Sequence, residues 1–245
     1  MKEYKATGYI LSRRNLKDSD RIITIFTLEY GKISLIAKGI KKPKAKLQSQ
    51  LEPLVEVRFR YLGSGAIPIL VGAQALSANQ YFSVDMDRRI SALFISEIMD
   101  LISIEGQPNK ELYSLYKTCL LDLLETKKVL LSVVYSMINI MKLSGIEPSI
   151  DNLKDSSSAY FDYDDGTVSS QIGGNKASRV SIESAKLWMV CLKYHKKTVD
   201  NLAVDQLVLN ESFMVLSEYF QYHYAKRLKS IKVLINSTNL LQPSA

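Results

Sequence analysis

Apolar residues recur at every second position through the first 76 residues and at every third or fourth position after that. The early period of two marks half-buried strands. Residues 6–13 alternate around Tyr9 and Leu11, and residues 21–28 are rich in β-branched and aromatic side chains. Residues 29–32 read as a tight turn, because Gly31 can take a positive φ, and the third strand follows over 33–37. Residues 55–61 alternate cleanly, with Val55, Val57, Phe59 and Tyr61 on one face and Glu56, Arg58 and Arg60 on the other. Gly63-Ser64-Gly65 turns the chain into a fifth strand over 67–73. The longest connection, 39–53, separates strands three and four and has room for a short helix. That layout predicts an OB-type five-stranded β-barrel.

The later pattern predicts amphipathic helices over 88–104 and 109–125, and a more apolar one over 128–143. Gly145 and then Pro148 end the third. Residues 151–178 turn polar. Within them 159–162 and 167–169 flank Asp164-Asp165-Gly166, which predicts a small hairpin. Helical spacing resumes over 181–193 and 211–229. The expected class is α+β: an OB-fold barrel over 1–78, then a mostly helical domain over 79–245 with a hairpin insertion at about 150–178.

Charge changes this picture. Residues 1–80 hold 14 Lys/Arg against 6 Asp/Glu, whereas residues 81–245 hold 18 against 19, so the first third carries the whole net charge of +7. Lys38, Lys41, Lys42, Lys44 and Lys46 crowd into nine residues of the long connection. A solvated basic loop would account for them, and so would a polyanion lying against them.

Catalytic and metal motifs are missing. No phosphate-cradling glycine loop and no G-x-S-x-G elbow occurs, and His195 and His223 fall in different helical segments. Asp162, Asp164 and Asp165 precede Gly166 with the glycine one place too early for a calcium loop, and the closing glutamate is absent. Cys119 and Cys191, the two cysteines, fall in helical patterns and read as buried reduced thiols. The first residues lack the apolar core of a signal peptide, and the longest near-apolar run, 129–141, is too short to span a bilayer. The expectation is a cytoplasmic protein without enzymatic activity or cofactor.

Residues 8–44 resemble the opening of the bacterial RecO family of DNA repair proteins. The likeness rests on the strand ending in Arg13, the turn at 18–20, F-T-L-E-Y-G from Phe26 and S-L-I-A-K-G-I-K-K-P-K from Ser34, with Leu51-Glu52-Pro53 continuing it. Gly145-Ile146-Glu147-Pro148 resembles the family's helix-to-finger junction, and H-Y-A-K-R-L-K-S from His223 the basic end of its last long helix. The resemblance implies an OB fold plus a helical domain that binds single- and double-stranded DNA and anneals complementary strands. It also implies partnership with RecR, contact with the acidic tail of single-strand binding protein, and indirect links to RecF and RecA in the nucleoid. Many members carry a four-cysteine zinc finger after this junction. Here no cysteine lies between Cys119 and Cys191, so no zinc is expected and the hairpin should be metal-free.

The candidate DNA-binding residues are Arg13, Arg14, Lys17, Arg21, Lys32, Lys38, Lys41, Lys42, Lys44, Lys46, Arg58 and Arg60, with Tyr9, Phe26, Phe59 and Tyr61 as stacking candidates or barrel core. Lys193, Lys196, Lys197, Lys226, Arg227 and Lys229 are the candidates for an acidic partner tail, or are ordinary solvated helix ends. An RNA-binding barrel and a protein-interaction scaffold remain open as alternatives on the residues alone.

Overall fold

A computed structural model of the protein describes residues 2–16, 18–41, 49–63, 65–76, 85–150 and 159–237. The chain divides into two compact units, Met1–Leu120 and Leu121–Ala245. The boundary expected near residue 78 falls in a stretch outside the described residues.

In the first unit β1 (Lys2–Asn15), β2 (Arg21–Thr27), β3 (Gly31–Ala37), β4 (Glu56–Gly63) and β5 (Ile69–Ala75) close a barrel in the order β1-β2-β3-β5-β4. All neighbours are antiparallel except β3 and β5, which meet in parallel at Ile36 and Ile69. This is the five-stranded barrel that the strand spacing predicts. A short 3-10 helix, Ser49–Leu51, lies in the long connection between β3 and β4. β1 is long because it serves two partners: Lys2–Tyr9 pair with β4 and Gly8–Asn15 with β2. Ile10, Ile23, Ile25, Leu35, Val57 and Phe59 fill the barrel.

β2 is apolar on both faces for a physical reason. Ile23 and Ile25 point into the barrel, while Ile22 and Phe26 are buried on the other side. There α1 (Met86–Ile102) and α2 (Lys110–Glu125) contribute the cover. Tyr113 of α2 sits against Phe26 at 5.9 Å between ring centres, Tyr116 meets Tyr9 edge-on at 5.3 Å, and Ser96 of α1 donates to the Leu11 carbonyl.

The second unit packs α3 (Val129–Leu143) against α4 (Ile182–Lys193) and α6 (Gln206–His223). α3 ends as the sequence predicts: Gly145 takes φ 70°, and the Ile146 N–H reaches the Met141 carbonyl at 3.0 Å. The expected hairpin is present as β7 (Ala159–Asp162) and β8 (Thr167–Ser169), but it belongs to a four-stranded sheet. β6 (Ser149–Ile150) and β9 (Ala177–Val180) complete the order β6-β8-β7-β9. A one-turn helix, α5 (Lys196–Val199), was not foreseen.

The helix expected over 211–229 needs correction. α6 starts earlier, at Gln206 behind an Asp205 cap, and stops at His223; α7 (Ser230–Ser237) is separate. Ala225 sits between them at φ 48°, with Lys226 N–H bonded to the Gln221 carbonyl. The stop is a left-handed cap built on alanine, so no glycine or proline marks it in the sequence. Among the described residues no helix is long and apolar enough to cross a membrane.

Candidate nucleic-acid interface

The basic segment after β3 is sewn to the β1–β2 turn. The Asp20 carboxylate accepts the Gly39 N–H at 2.8 Å, the Ser19 carbonyl accepts the Lys41 N–H at 3.1 Å, and the Asp20 carbonyl accepts the Leu16 N–H at 3.1 Å. Arg21 opens β2 opposite Asn15 of β1 and Ala37 of β3. These bonds bring Arg14, Arg21, Lys38 and Lys41 to one end of the barrel. Arg14 and Lys38 are exposed; Arg21 and Lys41 are half-buried. Lys17, Lys42, Lys44 and Lys46 lie outside the described residues.

Three other predicted residues are held by the protein's own acids. Arg13 pairs with Glu52, and Arg60 pairs with Glu3 at 3.1 Å. Lys32 is turned largely inward: its side chain is 16% exposed, and its ammonium donates to the Asp100 carbonyl at 2.6 Å and lies 3.4 Å from that residue's carboxylate. Lys32 therefore ties the barrel to the end of α1. Arg58 is exposed on the outer face of β4.

A groove of about 600 Å³ runs across β3. Arg14, Lys32 and Ser34 line it together with Tyr4, Tyr30 and Tyr61, and the β4–β5 connection closes one side through Ala66, Ile67 and Pro68. Glu105, which accepts from the Ser34 hydroxyl, stands on the rim. Tyr4 and Tyr61 stack at 5.2 Å, and Tyr30 meets both edge-on. Burial raises the Tyr61 phenol pKa above its ordinary value, so that ring stays a neutral hydrogen-bond donor near pH 7. Sequence reading missed Tyr4 and Tyr30. Extending the period of two back from residue 6 to Lys2 would have found Tyr4, on the same face as Ala6.

None of the four predicted stacking candidates is open: Tyr61 borders the groove but is itself buried in the barrel core at 7% exposure. Tyr9 and Phe26 are buried under α2 and Phe59 is inside the barrel. Beside them Glu56 is a buried carboxylate: it accepts from the Tyr113 hydroxyl at 2.9 Å and pairs with Lys117 at 3.2 Å. Burial first, and then the Glu56 charge, push the Tyr9 and Tyr113 phenols far above their ordinary pKa. These groups stay neutral and structural.

In the second unit the six predicted cations split into two sets. Lys193, Lys196 and Lys197 lie at the α4–α5 junction, and Lys226, Arg227 and Lys229 lie at the break between α6 and α7. Lys196 is held by Asp122 at 3.2 Å and by Asp200, while Lys193 sits over the Tyr194 ring at 5.5 Å. Lys197, Lys226 and Arg227 are exposed.

The small sheet does not suit a thiolate-bound metal. Asp162 accepts the N–H groups of Asp164 and Gly174, and Asp164 accepts from Asn175 and from the Tyr222 hydroxyl. Their oxygens are thus engaged by the protein, and Cys119 and Cys191 are buried in helices elsewhere. Among the described residues no group of three or more His, Cys, Asp or Glu side chains could hold a metal ion.

The N-terminal model of recombination protein O matches residues 1–77, and its C-terminal model matches residues 83–232. The chain belongs to the recombination protein O family. Similar proteins include the DNA repair protein RecO of Desulforamulus reducens, 22% identical over 96% of this chain and 94% of its own length. The DNA repair protein RecO of Moorella thermoacetica is 23% identical over 93% and 88%. That of Listeria monocytogenes is 26% identical over 60% and 58%. Both parts of the family are therefore present in order: the barrel that carries the groove falls within the first match, and α1 to α6 within the second.

Proposed function

We propose that the protein is a DNA repair and recombination mediator that binds DNA through its barrel and anneals complementary strands. The observation that carries this reading is the end of the barrel shared by Arg14, Arg21, Lys38 and Lys41, from which Arg14 also reaches the groove lined by Tyr4, Tyr30 and Tyr61. Cations beside an exposed ring are what an OB barrel needs for single strands: cations take the phosphates, and the exposed Tyr30 and half-buried Tyr4 can take base faces. The membership in a family whose relatives are named DNA repair proteins supports it. Lysine and arginine side chains directed at phosphates do not read base sequence, so the binding is sequence-independent. Annealing then follows from charge neutralisation, which lets two polyanions approach, and needs no acid, base or metal. Double-stranded DNA is bound by the same neutralisation.

RecR is the expected partner, and the exposed cations Lys197, Lys226 and Arg227 are the places where the acidic tail of single-strand binding protein would meet the helical unit. In this reading the protein works with RecR to load RecA, with RecF acting indirectly.

The test is the salt dependence of single-strand binding. Each phosphate contact contributes about 0.7 to the slope of log affinity against log salt. Arg14→Ala and Lys38→Ala should each flatten the slope by about that amount. Slopes that match the unaltered chain, or tighter binding of a matched RNA strand, overturn the proposal.

A further inference from the structure

The outer wall of the barrel carries a second basic depression, of about 380 Å³, which shares no lining residue with the groove over β3. Lys5, Arg58, Arg60 and Gln74 surround it, and Gly72 and Ala73 form its floor. The pairing registers put them in two adjacent rows: Lys5, Arg60 and Gly72 in one, and Thr7, Arg58 and Gln74 in the next. Lys5 and Arg60 are thus directly opposed like charges, an arrangement that destabilises an antiparallel pair. Glu3 answers Arg60. Among the described residues no carboxylate lies within ion-pair distance of Lys5 or Arg58, and both are exposed. A Cβ at Gly72 would make ordinary contact with the Arg60 guanidinium, at 3.4 Å.

We infer that this depression is a second nucleic-acid site, which holds the phosphodiester backbone of a second strand while the groove holds the first. The inference rests on the functional reading above and assigns it a division of labour. The groove offers the exposed Tyr30 ring and the half-buried Tyr4 ring, backed by Tyr61. The depression offers none, because Phe59 turns its ring into the barrel core and reaches this wall only through its backbone. The Arg58 guanidinium fork, the Lys5 ammonium and the Gln74 amide fit phosphate oxygens and leave bases unstacked, with Arg60 held beside them by Glu3. A strand held there by its backbone keeps its bases free to pair, which is what the incoming partner of an annealing reaction needs.

The experiment uses the full chain with Lys5→Glu and Arg58→Glu made singly, and Arg58→Gln as the milder variant. Lys5→Glu sets opposite charges across the pair with Arg60, so its melting temperature should not fall, and lost activity is then not lost folding. Two non-complementary oligonucleotides, one with a donor dye and one with an acceptor, report simultaneous occupancy by energy transfer. Complementary strands report annealing. The expected result is unchanged affinity for one strand, loss of energy transfer, and annealing slowed about tenfold or more. If the unaltered chain binds and anneals while the variants keep pace with it, the second site is wrong and the functional reading stands. If the unaltered chain binds neither strand, both fall.

Discussion

Single residues set the local geometry on which the barrel and the small sheet depend. Gly31 begins β3 at φ 67°, and a Cβ there would collide with the backbone of Gln107. The neighbouring backbone is fixed, since the Lys32 N–H reaches the Ile104 carbonyl and the Gly106 N–H reaches the Lys32 carbonyl. Gly31→Ala should lower stability by more than about 1 kcal/mol in a denaturant titration. Asp164 is the acid-sensitive residue of the small sheet. The Tyr222 hydroxyl, and then the Asn175 N–H, hold its pKa below the ordinary carboxylate value. A depressed folded pKa gives stability that is full above the unfolded value, near pH 4, and is lost as pH falls through the folded one. Trp188, packed on Phe161 of this sheet, reports the change by fluorescence. Between pH 5 and pH 3 the melting temperature should drop, and Asp164→Asn should flatten that drop while lowering the value at pH 7. Burial pushes the Cys191 thiol up to about 12, against the pull of Lys196. A thiolate is the reactive form, so neither buried cysteine should react with a thiol reagent at pH 8 until the chain is unfolded. One equivalent titrating in the native protein would contradict this.

At the level of elements, helix ends show how much a sequence can say. α3 and α6 end in the same way, with a left-handed residue and an N–H returned to a carbonyl of the last turn. At α3 that residue is Gly145 and the stop is legible. At α6 it is Ala225, and the helical pattern runs on to residue 229 without a breaker. Alanine in the left-handed region is strained by about 1 kcal/mol or more, and glycine is not. Ala225→Gly should therefore raise stability by up to about 1 kcal/mol, measured by denaturant titration, even though glycine is a poor helix former. β1 shows the opposite case. Its alternation is clear over 6–13, but it extends to Lys2 because β4 pairs with its first half. A strand's length depends on its partner, and that dependence hid Lys5 and Tyr4. Glu56, which reads as one of three outward charges on β4, is instead covered by α2, while Arg58 and Arg60 on the same face stay exposed. Glu56→Ala leaves the Tyr113 hydroxyl without its acceptor and should cost about 1–3 kcal/mol.

For the molecule as a whole, the charge asymmetry and the two periods are properties of composition and order, and they needed no coordinates. They specified a basic barrel followed by helices, and they placed the lysine cluster on the longest connection of that barrel. Which cations are left to meet a partner could not be read the same way. Arg13, Lys32 and Arg60 look like Arg14, Lys38 and Arg58 in the sequence, yet each of the first three finds a carboxylate of its own protein, 39, 68 and 57 residues away. A charge becomes available or internal according to what the fold sets within a few ångströms of it, because Coulomb attraction and hydrogen bonding act through space and not along the chain. The same holds for the aromatics: the placement of α2 buries Tyr9, whereas Tyr30, in the turn before β3, stays exposed beside the groove. Sequence by itself determined the barrel strands, the first three helices, their order and the sign of the field around the barrel, since these follow from local period and from charge count. The tertiary structure alone decided which side chains share a groove and which cancel one another, since that depends on pairing between residues far apart in the chain.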